Sequence, residues 1–294
     1  MSSARECAAL VALLRLDRRS QATYAEAVEV AGSAVSVLEA ELADLGGQAT
    51  LLPEDPEPLL TRAEADIGAW HAEGYELLTV LDAAYPENLR TVHDRPPLLF
   101  VSGTLTARDA RSVAIVGARR ASGDGRATAA SLATALTRAG YVVVSGLAAG
   151  IDTAAHEAAL AAGGRTVAVI GTGLRHSYPP ENAALQRRIA AEGAVASQFW
   201  PDAPPRRTSF PLRNAVMSGL ALGTVVVEAS FRSGARLQAR LALAHGRPVF
   251  LWNAVLQEPW ALEFAQRPGV YVVDEPAQVW EMVERLNAMD ELVE

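Results

Sequence analysis

The chain has 294 residues, is 50% hydrophobic and carries a formal net charge of −8, enough for one large domain or a large domain with a smaller companion. A single cysteine, Cys7, excludes an internal disulfide and a cysteine-built metal cluster. The acidic balance argues against a polybasic, nonspecific nucleic-acid binder but not against a local basic groove, and every one of the 26 basic residues is arginine.

Residues 5–46 are rich in Ala, Leu, Val and Glu at helical spacing. Leu10, Leu13 and Leu14, then Val35, Leu38 and Leu42, mark two amphipathic stretches. Gly46-Gly47 ends them, PEDPEP (53–58) reads as a rigid acidic linker, and 61–74 predicts another helix stopped at Gly74. This divides the chain into a helical region 1–75, a strand-poor connector 76–110 and a main domain 111–294. The N-terminus has early acid and late arginines rather than a secretory signal, and no stretch is long enough to span a bilayer, so a cytoplasmic protein is expected.

From Val113 strand and helix alternate. Strands are predicted at 113–116, 141–144, 167–170, 194–197, 224–229, 248–252 and 270–273, mostly as unbroken Val/Ile/Ala runs suited to burial on both faces. Helices are predicted at 126–139, 153–162, 181–192, 212–221 and 235–245, with a last amphipathic helix in EPAQVWEMVERLNAMDELVE. The fold class is therefore α/β: a doubly wound, mostly parallel, Rossmann-like sheet with a small helical N-terminal domain. Ligands of such sheets sit beyond the strand carboxyl ends.

That rim collects the motifs. GARRASGDG (117–125) follows a strand and opens a helix, where unpaired N–H groups favour a phosphate; Gly117, Arg119 and Arg120 belong to it. It is neither GxGxxG nor a Walker loop, which disfavours a dinucleotide or P-loop ATP chemistry. SGLAAGID (145–152) contributes Ser145, Gly146 and Gly150, with Asp152 placed to cap the helix that follows. GTGLRHSYPPEN (171–182) contributes Gly171, Gly173 and Tyr178, an aromatic suited to stacking or to plain packing. In PPRRTSFPLRN, Arg206, Arg207 and Arg213 bracket Phe210, an alternation of cations and aromatic that suits single-stranded nucleic acid, or a solvated loop plugged by its phenylalanine. Glu228 ends a strand, as a ribose ligand, a base, a cap or a partner for a rim arginine. Ser233 and Gly234 open the next helix. H-E-x-x-H, G-x-S-x-G and metal-spaced acids are missing, so no catalytic residue, metal or cofactor is expected, and a binding module is favoured over an enzyme.

The order VAIVGAR, SGLAAGIDTAAHEAAL, GGRTVAVIGTGLRHSYPPEN, FPLRN and VVEA…SGA…GRPVF, after LDAAYPENLRTVHDRPPLLFVSGTL, resembles the DNA-processing protein A (DprA, Smf) family over about Leu78 to Phe250. The resemblance implies a single-stranded DNA-binding protein of natural transformation that protects incoming strands, helps load a RecA-type recombinase and works as a homodimer. It also implies that Gly117 and Arg119 match one family turn, Ser145, Gly146 and Gly150 a second, and Phe210, Arg213 and Asn214 the DNA-contacting FPxRN element. The chain departs from the family at Ala118, Ala215, Gln198, Gln238 and Trp252, and the resemblance implies a member without the C-terminal winged-helix domain. The rival reading is a Rossmann-like small-nucleotide sensor or nucleotide N-glycoside hydrolase that uses Glu228.

Overall fold

A computed structural model describes residues 3–46 and 55–290. The stretches expected over 5–46 resolve into three helices, α1 (Ala4–Leu16), α2 (Gln21–Ala31) and α3 (Ala34–Gly46). Ser3 and Ser20 cap the first two by accepting from the N–H groups of Glu6 and Thr23 at 3.2 and 3.1 Å. Gly47 and the first part of the acidic linker lie outside the described residues. Helix α4 (Glu57–Ala72) follows and buries Leu60, Ala63, Ile67 and Trp70.

The segment read as strand-poor supplies two strands. β1 (Tyr75–Thr79) and β2 (Leu98–Gly103), separated by the short α5 (Glu87–Arg90), pair antiparallel with Leu77 opposite Phe100. The prolines that argued against strands all fall between them. Leu98, Leu99, Phe100 and Val101 are buried in succession because β2 is covered on both faces and pairs antiparallel with a strand of the main sheet.

The main domain follows its predicted alternation: β3 (Ser112–Gly117), α6 (Gly123–Arg138), β4 (Val142–Ser145), α7 (Ile151–Ala161), β5 (Thr166–Val169), α8 (Ala183–Glu192) and β6 (Ala194–Ser197). It continues with α9 (Ser209–Leu220), β7 (Thr224–Glu228), α10 (Gly234–Ala244), β8 (Val249–Trp252), α11 (Pro259–Phe264), β9 (Val270–Val273) and α12 (Ala277–Asp290). The nine-stranded sheet has the order β1-β2-β6-β5-β4-β3-β7-β8-β9, parallel from β6 to β9. From β3 the chain steps outward through β4, β5 and β6, then returns to the other side of β3 for β7, β8 and β9. The crevice between β3 and β7 is thus the topological switch point.

Helices α6, α7 and α12 cover one face through a core that includes Leu132, Ile151, Val279 and Val283. On the other face α9 and α10 share one continuous core with α1, α3 and α4. Trp70 of α4, Phe100 of β2 and Trp200 after β6 form its aromatic seam, with centroids 5.0, 5.8 and 5.9 Å apart. Because this core is shared, Phe100→Ala is expected to cost about 3–5 kcal/mol. Urea unfolding followed by tryptophan fluorescence and by far-UV circular dichroism should give coincident single transitions, displaced together in the variant.

Candidate nucleic-acid interface

A cavity of about 860 Å³ opens at the switch point, and Gly117, Arg119, Phe210, Glu228, Ser233 and Gln238 are among its lining residues. A register shift between Val116 and Gly117 brings the end of β3 beside Glu228 at the end of β7. Two helix starts, those of α6 and α10, frame the opening.

Several backbone donors of the glycine turns are already taken by the protein's own side chains. Glu228 accepts from the Ser122 N–H at 3.1 Å and from the Ser122 hydroxyl at 2.7 Å, while Ser122 Oγ accepts the Gly125 N–H at 2.9 Å. A carboxylate thus occupies the start of α6 where a phosphate was expected. In the second turn Asp152 accepts from the N–H groups of Gly146 and Ala148 at 3.1 and 3.3 Å. The expected role as cap of the following helix is corrected: α7 begins at Ile151 behind Gly150, so Asp152 lies inside the first helical turn and reaches back. Gly150 makes that reversal with φ of +84°, a conformation disfavoured for residues with a Cβ. Ser145 is fully buried and donates to the Ile115 carbonyl at 2.6 Å.

Phe210 joins Arg213 and Asn214 on the helix expected from 212, because α9 already starts at Ser209. Pro211 fits the first turn, where N–H groups have no helical partner. The spacing puts Phe210, Arg213 and Met217 on one face. Arg213 does not reach solvent as a phosphate ligand would: it is 5% exposed, with Nη1 4.0 Å from Asp152 Oδ2 and 3.8 Å from Met217 Sδ. Burial depresses its pKa against the pull of Asp152, and burial raises that of Asp152 against the pull of Arg213. The guanidinium fills the space a Cβ on Gly146 would need. Arg213 therefore builds the second turn from below. Asn214 is also buried, its amide 3.5 Å from the Gly234 carbonyl at the start of α10.

What faces outward is cationic and aromatic. The Arg119 guanidinium lies 4.8 Å from the Phe210 ring centroid, and the exposed Tyr178 ring lies 5.7 Å from the same ring. Gly171 is buried beneath Phe210, and Gly173 packs on the Trp200–Pro201 backbone, so both make room rather than contacts. Arg120, Arg206 and Arg207 are exposed. Ser233 caps α10 by accepting from the Ala235 N–H at 3.2 Å, leaving Gly234 exposed. Sequence reasoning missed two rim residues in SFRSGA: Arg232, which lines the cavity, and Phe231, 63% exposed with the Arg236 guanidinium 4.2 Å from its ring centroid. The only signal for them was their position at a strand end. Among the described residues, Arg119, Arg120, Arg206, Arg207 and Arg232 form no ion pair. The departures Ala215, Gln198 and Gln238 are buried, and Trp252 is half-buried in the cavity wall.

Two arrangements bear on catalysis. Glu228 is committed to Ser122, so it is not poised as a base. Ser218, His245 and Asp94 form a hydrogen-bonded series, but Ser218 is fully buried inside α9 and bonds Nδ1 of the imidazole while the acid bonds Nε2, the reverse of a hydrolytic triad.

The fold and the rim define a Rossmann-like module with internally capped turns and an arginine–aromatic surface suited to a polyanion with bases. The chain belongs to the DNA recombination-mediator protein A family, whose model matches residues 76–283. It is 34% identical over 215 residues to the DNA processing protein DprA of Bacillus subtilis, 73% of this chain and 72% of that one. It is 43% identical over 172 residues to DprA of Streptococcus pneumoniae, 58% of this chain and 61% of that one. The X-ray structure of Streptococcus pneumoniae DprA superimposes with a TM-score of 0.66 and 32% identity, covering 83% of this chain and 91% of that one. DNA processing protein A of Helicobacter pylori, solved for its single-stranded DNA binding mode, gives a TM-score of 0.62 and 27% identity over 73% of this chain and 96% of that one.

Two outcomes test this account of the turns. Gly146→Ala forces a methyl into the buried Arg213 guanidinium and is expected to lower stability by about 1–3 kcal/mol in urea titration. His156, one turn beyond Asp152, is fully buried; Thr166 Oγ1 lies 2.7 Å from its Nδ1 and donates to the Val143 carbonyl, so Nδ1 carries the proton and Nε2 has no partner. Burial pushes the His156 pKa down to about 3. Its folded value lies below the unfolded one of about 6.5, so its contribution is complete above that pH and falls as pH drops toward 3. Replacement by glutamine should remove about 2 kcal/mol from the stability difference between pH 7 and pH 5, measured by urea unfolding at both values.

Proposed function

We propose that this protein binds single-stranded DNA across the β3/β7 rim and acts in natural transformation and recombination, protecting incoming strands in the cytoplasm. Arg119, Arg120, Arg206 and Arg207 neutralise phosphates, and Phe210, held between Arg119 and Tyr178, stacks on a base. The Arg119–Phe210 pair carries this reading: an unpaired guanidinium over a half-buried ring at a cavity mouth is a cation and a stacking platform in one place. Family membership and the single-strand binding described for the Helicobacter pylori relative support it. Delivery of the strand to a RecA-type recombinase, in keeping with the recombination-mediator character of the family, and action as a homodimer complete the reading.

The turns play an indirect part. The N–H groups of Ser122, Gly146 and Ala148 hold Glu228 and Asp152, so the exposed side chains carry most of the grip on the strand. The small-nucleotide hydrolase reading is disfavoured because Glu228, its required base, is spent on capping α6.

Fluorescence anisotropy with a labelled oligothymidylate tests the proposal. Four neutralised phosphates give a slope of log K against log salt near −3, at about −0.7 per phosphate. Joint replacement of Arg206 and Arg207 by alanine should flatten it by about 1.4. Phe210→Ala should weaken binding about 5- to 150-fold, the range of one lost base stack. Equal affinity for duplex and single strand, or release of free base from nucleoside monophosphates, would defeat the reading.

A further inference from the structure

Away from the DNA rim, three metal-ligating side chains converge at the far ends of α9 and α10. His93 and Asp94 follow α5, and His245 caps the end of α10. One ligand atom from each of the three lies within 4.8 Å of the other two. The imidazoles of His93 and His245 meet edge to face with centroids 5.4 Å apart, and His245 Nε2 lies 2.8 Å from Asp94 Oδ1. His93 is exposed, whereas the His245 side chain is buried, with no solvent exposure.

The clustered donor atoms point to a cation, and the buried surroundings of His245 hold one of them in place. Ser218 Oγ lies 3.1 Å from the Ala215 carbonyl, which can only accept, and 2.8 Å from His245 Nδ1. Both contacts are satisfied together when the hydroxyl donates to Ala215 and Nδ1–H donates to the hydroxyl. Nε2 faces the Asp94 carboxylate at 2.8 Å, and an ion bound there takes the place of the proton that Nε2 would otherwise donate to Asp94. A ring whose far nitrogen is fixed as a donor by a buried hydroxyl is the usual support of a metal-bound histidine.

We propose that His93, Asp94 and His245 form a binding site for a divalent transition metal of borderline softness, zinc being the natural occupant of a two-imidazole, one-carboxylate donor set with an open fourth position. Entry of the ion moves Asp94 slightly away from Nε2 and swings the exposed His93 inward; His245 stays where Ser218 holds it. The ion then ties the segment after α5 to the ends of α9 and α10. Its ligands are 151 residues apart in the chain, so no spacing motif announces them.

The test uses chelator-stripped full-length protein. Isothermal titration with zinc chloride should show one ion per chain, and cobalt(II) should give the visible absorption of a four-coordinate site. His93→Ala alters only an exposed side chain, leaves the fold intact and should weaken binding at least about tenfold; Ser218→Ala should weaken it about 10- to 100-fold by freeing the ring. Zinc should raise the melting temperature of the parent and not of the His93 variant. His176→Ala, remote from the site, should bind as the parent does. No heat of binding, or binding unchanged in both the His93→Ala and His245→Gln variants, overturns the proposal and leaves the His245–Asp94 contact as a hydrogen bond.

Discussion

The site rests on one buried contact, between Arg213 and Asp152. Both groups lose their hydration, a cost of several kcal/mol per ion, and their 4.0 Å separation repays only part of it. Asp152 recovers more through the Gly146 and Ala148 N–H groups. The pair therefore exists as part of a larger unit: the arginine fills the space beneath Gly146, the acid gathers the turn, and Gly150 reverses the chain into α7. Removing either partner strands the other charge in the interior, which is why an FPxRN segment and a glycine turn so far apart in sequence belong together.

The same logic governs the outer surface. Each glycine turn receives a carboxylate from the protein itself, Glu228 at one and Asp152 at the other. Above them Arg119 lies over Phe210. Two internal acids below and unpaired arginines above concentrate positive charge locally on an acidic protein. In the proposed mode the aromatic partner lets that surface answer to unstacked bases as well as to phosphates.

Much of the architecture was legible because strands buried on both faces leave unbroken Val/Ile/Ala runs, and crossover helices leave long polar-edged intervals. Strands β3 to β9 were found this way within about two residues, a usual margin for element ends. β1 and β2 escape this signal because three prolines crowd the segment between them and mask two short apolar runs. On the rim, composition and order single out Arg119 and Phe210, which line the cavity, and Arg206 and Arg207, which are exposed. Phe231 and Arg232 were not, since SFRSGA carries no pattern beyond its place after a strand.

The sequence by itself determined the alternation of strand and helix, the parallel sheet and the rim on which ligands sit, because periodicity and buried apolar runs are local properties. It also determined membership of a family, through motif order. Only the tertiary structure decided which charges face water. Arg213 and Arg119 look alike as letters, yet one is locked under Gly146 and the other lies over an aromatic ring at a cavity mouth. Burial, hydrogen-bond commitment and long-range ion pairing are set by what the fold brings against a residue. For the same reason the turns that read as open phosphate cradles are partly filled by Glu228 and Asp152.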